Sequence, residues 1–290
     1  MTLGELIRRT ERRLRAARLH YGHGTDNPRD EAAFLVLRGL GLPFDADLER
    51  PADAARVEPL LRRRIKERVP VAYLLREAWL AGQRFRVDPR VIVPRSHIAE
   101  LLAEGLQPWR PPAVRRVLDL CTGSGCLAIL AARAFPRAEV DAADVSCAAL
   151  AVARRNVREH RLQARVQLVR SDLFAALAGR RYDVIVTNPP YVPAAVMRRL
   201  PPEYRHEPRL ALAGGRRGLD LVRRIVAEAP RHLQPRGLLM CEVGDGRSVV
   251  ERAFPRLPLL WPKAEVFIVQ SAANSAPGAR TPPSARRPPR

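Results

Sequence analysis

A chain of 290 residues, 47% of them hydrophobic, is long enough to bury one substantial core and a smaller second one, so two domains are expected. The formal charge of +21 points to a nucleic-acid or ribonucleoprotein partner, or else to compositional bias: among 51 basic residues only Lys66 and Lys263 are lysine, and Ala, Pro and Arg are all abundant. The four cysteines (Cys121, Cys126, Cys147, Cys241) and six histidines show no CxxC or HExxH spacing, which argues against a disulfide framework or structural zinc and for a reducing compartment. Up to His20 the chain carries six Arg and two Glu without an apolar segment, so no secretory signal is expected. No run approaches the roughly eighteen apolar residues of a membrane span, and a soluble, cytoplasmic protein with no membrane partner is expected.

Apolar positions recur at helical spacing over residues 3–19 and 28–41, as at Phe34, Leu37 and Leu40, and residues 54–68 read as a third, very basic helix. Together they predict a small helical domain over residues 1–76. Trp79, Leu80, Phe85, Val87, Val91 and Val93 flank Gly82 and Asp88-Pro89, predicting a hairpin over Ala78–Val93. A short helix from Ser96 to Gly105 and the stiff stretch Gln107-Pro108-Trp109-Arg110-Pro111-Pro112 complete a connecting region, residues 77–112.

From Ala113 to residue 270 short apolar runs alternate with helical patterns: Val117–Leu120, Val140–Ala143, Val166–Val169, Tyr182–Thr187 and Leu238–Val243. Strand and helix in alternation predict an α/β domain with a parallel, doubly wound sheet. Leu257–Trp261 and Val266–Gln270 are too close for a helical crossover and must pair antiparallel. A parallel sheet closed by an antiparallel hairpin matches the Rossmann-like methyltransferase architecture better than a dehydrogenase. Residues 271–290, rich in Ser, Ala, Pro and Arg, are expected to be a disordered basic tail.

Candidate chemistry sits at the strand ends. Asp119-Leu120-Cys121-Thr122-Gly123-Ser124-Gly125-Cys126 follows the first strand of this sheet, and Gly123 and Gly125 permit a sharp turn close to a ligand. With Ala128 loosely filling the third small position, the loop alone does not separate NAD from S-adenosylmethionine. Asp144 ends the second strand, where a carboxylate can accept from both ribose hydroxyls, while Ser146 is the better cap for the next helix. Asp172, in Ser171-Asp172-Leu173, reads equally as an acceptor for an adenine amino group or as a turn residue. Asn188-Pro189-Pro190-Tyr191 follows the fourth strand. Its two prolines supply no N–H, so the Asn188 side-chain oxygen and the Pro189 carbonyl can take the two hydrogens of a planar NH2 group while Tyr191 stacks on its face. Together these ends outline S-adenosylmethionine facing an amino acceptor.

Beyond this clamp, Tyr21-Gly22-His23-Gly24-Thr25-Asp26-Asn27-Pro28, Pro70-Val71-Ala72-Tyr73-Leu74, Val93-Pro94-Arg95-Ser96 with Glu100, and Tyr204-Arg205-His206-Glu207-Pro208 stand in the chain. Over residues 20–270 it resembles the glutamine-amide methyltransferases of the translation apparatus, in the branch that modifies large-subunit ribosomal protein L three. The release-factor branch typically lacks the Tyr-Gly-His-Gly segment. The resemblance implies that Asp119, Cys121, Thr122, Gly123, Ser124, Gly125, Asp144, Asp172 and Leu173 hold S-adenosylmethionine and that Asn188, Pro189, Pro190 and Tyr191 hold the substrate glutamine. It implies a ribosomal protein partner, free or in an assembly intermediate; an rRNA contact through the basic surface is the expectation that the net charge adds, if that charge is not compositional. His97 stands where the family has Pro, Arg217 replaces an acidic residue, and the last hairpin lacks a longer Gly-rich turn. His206 and Glu207 read as a turn-stabilising pair, since the chemistry needs no base. The rival readings are an adenine or guanine amino methyltransferase, whose acceptor is also a planar NH2, a release-factor glutamine methyltransferase, and a non-enzymatic ribosome-associated binding protein.

Overall fold

The computed structural model describes residues 1–272. Its first helix, α1 (Leu3–Ala16), is started by a capping box in which the Thr2 side chain accepts from Glu5 N–H and the Glu5 carboxylate accepts from Thr2 N–H. Leu3, Leu6, Thr10 and Leu14 lie on its buried face, leaving Arg8, Arg9, Arg12 and Arg15 to water. Asn27 caps α2 (Pro28–Gly39), with proline at its first position, and Asp53 caps α3 (Ala54–Lys66). With the short α4 (Val71–Leu75) these helices enclose a cluster built on Leu3, Leu14, Leu35, Val36, Val57 and Leu61.

The hairpin consists of β1 (Glu77–Leu80) and β2 (Gln83–Arg86), joined by Ala81 and Gly82, both left-handed, as a tight two-residue turn demands. It ends earlier than the sequence suggests. Pro89 cannot donate to a ladder, and the Asp88 carboxylate is folded onto Arg90, so Val87–Val93 runs on outside any strand with only Val87, Val91 and Val93 turned into the core. Asn156 fixes this hairpin to the sheet domain. Fully buried, it exchanges two hydrogen bonds with the Arg86 backbone and donates a third to the Ser124 carbonyl.

After α5 (Ile98–Ala103) the sheet is laid down as β3 (Arg116–Leu120), β4 (Glu139–Asp144), β5 (Val166–Arg170), β6 (Tyr182–Thr187), β7 (Leu233–Glu242), β8 (Leu260–Lys263) and β9 (Val266–Gln270). Seven strands stand in the order β5-β4-β3-β6-β7-β9-β8, parallel through β7, with β9 antiparallel between β7 and β8. Helices α6 (Cys126–Ala134), α7 (Cys147–Glu159), α9 (Asp220–His232) and α10 (Arg247–Ala253) cover it, and α8 (Ala194–Met197) is a single turn after the clamp. Neighbouring residues of one strand feed opposite cores: Val117, Val184 and Leu238 pack with α5 and α6, whereas Leu118, Ile185 and Leu239 pack with α9 and α10. Burial on both faces explains why these strands read as continuous apolar runs.

Two boundaries differ from expectation. β7 starts at Leu233, because Pro235 and Gly237 lie in a stretch where the register against β6 shifts rather than in a loop. β8 starts only at Leu260, and its pairing with β9 is broken around Pro262. The Ser271 N–H still donates to the Gly237 carbonyl; the rest of the expected tail, from residue 273, lies outside the described residues. Among the described residues no helix is long and apolar enough to cross a membrane, and no His, Cys, Asp and Glu cluster converges as a metal site would require. Strand order reverses between β3 and β6, so a crevice opens at their carboxyl ends, where open α/β sheets bind ligands.

Candidate active site

The loop leaving β3 is contorted: Cys121, Gly123 and Gly125 all have positive φ, at 58°, 56° and 80°. Side-chain room is missing at Gly125, where a Cβ would sit 3.1 Å from Ala153 Cβ on α7. Asp119 braces the turn from beneath, its Oδ2 accepting from Thr122 Oγ1 at 2.6 Å and from Ala128 N–H at 2.9 Å. Burial pushes the Asp119 carboxyl up to about 7, opposed by these two donors. Asp119, Thr122, Ser124 and Gly125 thus stand behind the crevice wall and shape it, while Cys121 and Gly123 line it.

The resulting cavity, about 270 Å³, brings Cys121, Gly123, Asp144, Asp172, Leu173, Asn188 and Pro190 together, with Leu210 and Leu221 as apolar wall. Asp144 accepts from Gly123 N–H at 2.9 Å on Oδ2 and from Ser146 N–H at 2.8 Å on Oδ1. Each oxygen keeps a lone pair for a hydroxyl. Ser146 caps α7 by accepting from Ala149 N–H, which leaves Asp144 free of that task. Burial raises the Asp144 pKa against the backbone donors. Asp172 differs: it is exposed and pairs with Arg224 at 3.1 Å, a contact that solvent largely screens.

Asn188 stands at the end of β6, and its Nδ2 donates to the Arg95 carbonyl at 3.4 Å, which leaves Oδ1 as an acceptor. Beyond it lies a second cavity, about 320 Å³, lined by Pro189, Tyr191, Arg95, Tyr204, Arg217 and Asp245 among others. Among the described residues only Ile92, Asn188 and Ala211 are common to the two walls. Tyr191 faces this second cavity alone. Glycines hold it: a Cβ on Gly244 would lie 2.7 Å from Tyr191 Cε2, and one on Gly218 would lie 2.2 Å from the Tyr191 carbonyl oxygen. Burial pushes the Tyr191 hydroxyl up to about 12.

Residues the clamp motif does not announce hold this wall in place. Glu207 accepts from both terminal nitrogens of Arg95, at 2.6 and 2.7 Å, and from Val93 N–H at 2.9 Å. His206 points elsewhere, to the Glu67 carbonyl, so it and Glu207 form no catalytic pair. Arg95 and Glu207 stand far apart in sequence, which hides their pairing. Gly244 was findable, since Gly244-Asp245-Gly246 directly follows a strand end.

The Tyr21–Gly24 segment packs against this same loop, with the His23 ring 4.6 Å from that of Tyr204 and its Nε2 3.7 Å from Glu207. Neither His23 nitrogen has a hydrogen-bond partner among the described residues, and burial drives its pKa down from 6.5 to about 4, with Glu207 opposing. The folded state therefore binds fewer protons than the unfolded chain between those values. His23 contributes stability that is complete above pH 6.5 and is lost as pH falls towards 4, at up to about 1.4 kcal/mol per pH unit. Unfolding free energies of the native protein and of His23→Phe, followed from pH 4 to 6.5, should diverge with that slope; a constant difference would reject it.

Residues 97–199 match the Methyltransferase small domain family. The chain is 58% identical over 268 residues to the ribosomal protein uL3 glutamine methyltransferase of Bordetella pertussis, covering 90% of each chain. It is 51% identical over 291 residues to the protein of that name from Bradyrhizobium diazoefficiens, covering 94% of this chain and 91% of the relative. Among solved structures it superposes on the hMettl16 catalytic domain with a TM-score of 0.51 and 16% identity, over 80% of this chain and 84% of that one, a likeness of fold alone. On this evidence of near-full-length identity, the chain belongs to the family of the ribosomal protein uL3 glutamine methyltransferases.

Proposed function

We propose that this protein transfers the methyl group of S-adenosylmethionine to the side-chain amide nitrogen of a glutamine on ribosomal protein uL3, in the cytoplasm. The observation that carries this reading is the meeting of two cavities at Asn188, one walled by the Gly loop and Asp144, the other by Tyr191 and its glycine seat. The first suits the cofactor: an apolar slot between Leu173, Leu210 and Leu221, a carboxylate with spare lone pairs for ribose, and Gly123 close by. When bound, the cofactor supplies an activated sulfonium methyl.

The protein's share of the work is orientation. An amide nitrogen is a poor nucleophile because its lone pair is delocalised into the carbonyl, so it must be held in line with the methyl carbon. Asn188 Oδ1, freed by the Nδ2 bond to Arg95, and the Pro189 carbonyl accept the two amide hydrogens and aim the nitrogen through the gap beside Ile92 and Ala211. Holding two reactants so can lower a barrier by up to about 7–11 kcal/mol. The same two acceptors stabilise the positive charge that builds on nitrogen as the N–C bond forms and the S–C bond breaks. The proton then leaves to water.

Incubating the protein with labelled cofactor and, separately, uL3, a peptide-chain release factor and naked RNA tests the assignment. A gain of about 14 Da, one CH2 group, on a single glutamine peptide of uL3 is the expected result. Transfer to RNA or the release factor in preference to uL3 would replace it. Asp144→Ala should weaken cofactor binding about tenfold to a hundredfold by calorimetry, the worth of a hydrogen bond to a charged acceptor, with a smaller effect on turnover at saturating cofactor. An unchanged affinity would reject the ribose contact.

A further inference from the structure

The acceptor cavity runs on into a second hollow of about 280 Å³, with Leu200, Tyr204 and Leu212 on both walls. Arg198, Arg205 and Arg209 rim this hollow, all three exposed. The one acidic residue on its wall, Glu207, is already occupied by Arg95. The cations do not stop at the rim. His206 bonds the Glu67 carbonyl at the end of α3, where Arg62, Arg63 and Lys66 are exposed, and Arg68 donates to the Arg18 carbonyl just past α1.

We propose that this arginine path, from the rim of the acceptor cavity across the seam to the ends of α3 and α1, is a docking surface for the phosphate backbone of RNA. The proposal rests on the uL3 reading above and adds to it that the acceptor glutamine is presented by uL3 already bound to RNA. Guanidinium groups match phosphate geometry; Arg63 is paired with Glu67 and Arg68 with Glu203, but Arg198, Arg205 and Arg209 have no carboxylate partner among the described residues, and such cations attract a polyanion. A compact acidic peptide would need a focused cluster; these charges spread from the segment after α8 through Arg205 and Arg209 to the ends of α3 and α1, which suits the many phosphates of a nucleic-acid chain. A protein of charge +21 is drawn to a polyanion, and RNA carrying the acceptor protein supplies one.

The test compares the native protein with R198E/R205E/R209E and with the milder R198Q/R205Q/R209Q. Binding of a fluorescent uL3-site rRNA fragment is followed by anisotropy over a salt series, and transfer is measured to a short uL3 glutamine peptide and to uL3 assembled on rRNA. Losing three phosphate contacts should weaken RNA binding at least about tenfold and reduce the slope of log affinity against log salt by about 2 to 3. Transfer to the peptide should be unchanged, and transfer to the RNA-borne protein should fall at least tenfold by the same contacts. An unaltered RNA affinity and slope in both variants, equal transfer to the RNA-borne protein, or competition by polyglutamate as effective as by RNA would overturn the proposal. A native protein that binds RNA with the expected slope but methylates neither uL3 form would instead overturn the uL3 reading and leave the surface standing.

Discussion

Asn188→Ala is expected to lower kcat by about 10²–10³-fold, the cost of losing one preorganised group aimed at developing charge. Cofactor affinity should change by less than a factor of about 3. The split follows from where the residue sits. Its side chain is positioned by the Arg95 carbonyl on the acceptor side, and the groups assigned to the cofactor, Asp144 and the Gly loop, bond to each other and not to Asn188. Alanine leaves the backbone path through Pro189 and Pro190 in place but gives the amide one acceptor instead of two, so the nitrogen can rotate out of line. Asn188→Asp restores an acceptor oxygen yet removes the donor to Arg95, and its rate should fall between the two. Rapid-quench measurement of single turnovers, with cofactor binding measured separately, decides the matter. Equal losses in rate and cofactor affinity would show that Asn188 merely supports the crevice.

The second large effect is expected far from the chemistry. Arg64, 1% exposed, donates to Glu31 at 2.7 Å, to Glu203 at 3.2 Å and to the His20 carbonyl at 2.8 Å. Burial pushes the Glu31 carboxyl up, and the Arg64 charge and hydrogen bond oppose that shift. Arg64→Leu should destabilise the protein by about 3–5 kcal/mol, because Glu31 is then buried in the seam without its cation and Glu203 keeps only the more exposed Arg68, at 3.3 Å. Replacing the partners as well, in Arg64→Leu with Glu31→Gln and Glu203→Gln, should recover much of that loss. Urea unfolding at neutral pH reads both numbers. Glu203 sits in the Pro202–His206 turn, beside Tyr204, so the single variant should also raise KM for the acceptor protein while sparing cofactor affinity. A loss below about 1 kcal/mol would mean that water reaches the seam and screens the carboxylates.

Periodicity made the sheet legible because each strand is buried on both faces and each crossover helix is amphipathic; the antiparallel end followed from a connection too short for a helix. Boundaries failed where a special residue belongs to an element, as Pro235 and Gly237 do in β7, or where an extended chain finds no partner, as after Arg86. At the site, residues contiguous in sequence were readable: the Gly loop and the clamp each announce themselves by backbone demands. The Arg95–Glu207 pair and Asn156 were not, since each joins segments brought together only by tertiary packing; of the glycine seat of Tyr191, Gly244 stood in a readable turn but its contact with Tyr191 did not show. Composition also hid something. With arginine abundant everywhere, nothing in the chain distinguishes Arg64, fully engaged inside the seam, from Arg198 on an open rim.

Because, among the described residues, only Ile92, Asn188 and Ala211 are common to both cavity walls, acceptor preference can be rewritten with little disturbance to methyl-donor use. Substitutions around Val196, Leu200 and Val249 alter what enters from the protein side, while a bulkier or smaller sulfonium donor calls for changes near Leu210 and Leu221 instead. An engineer, or natural selection, therefore has two nearly independent dials on one scaffold.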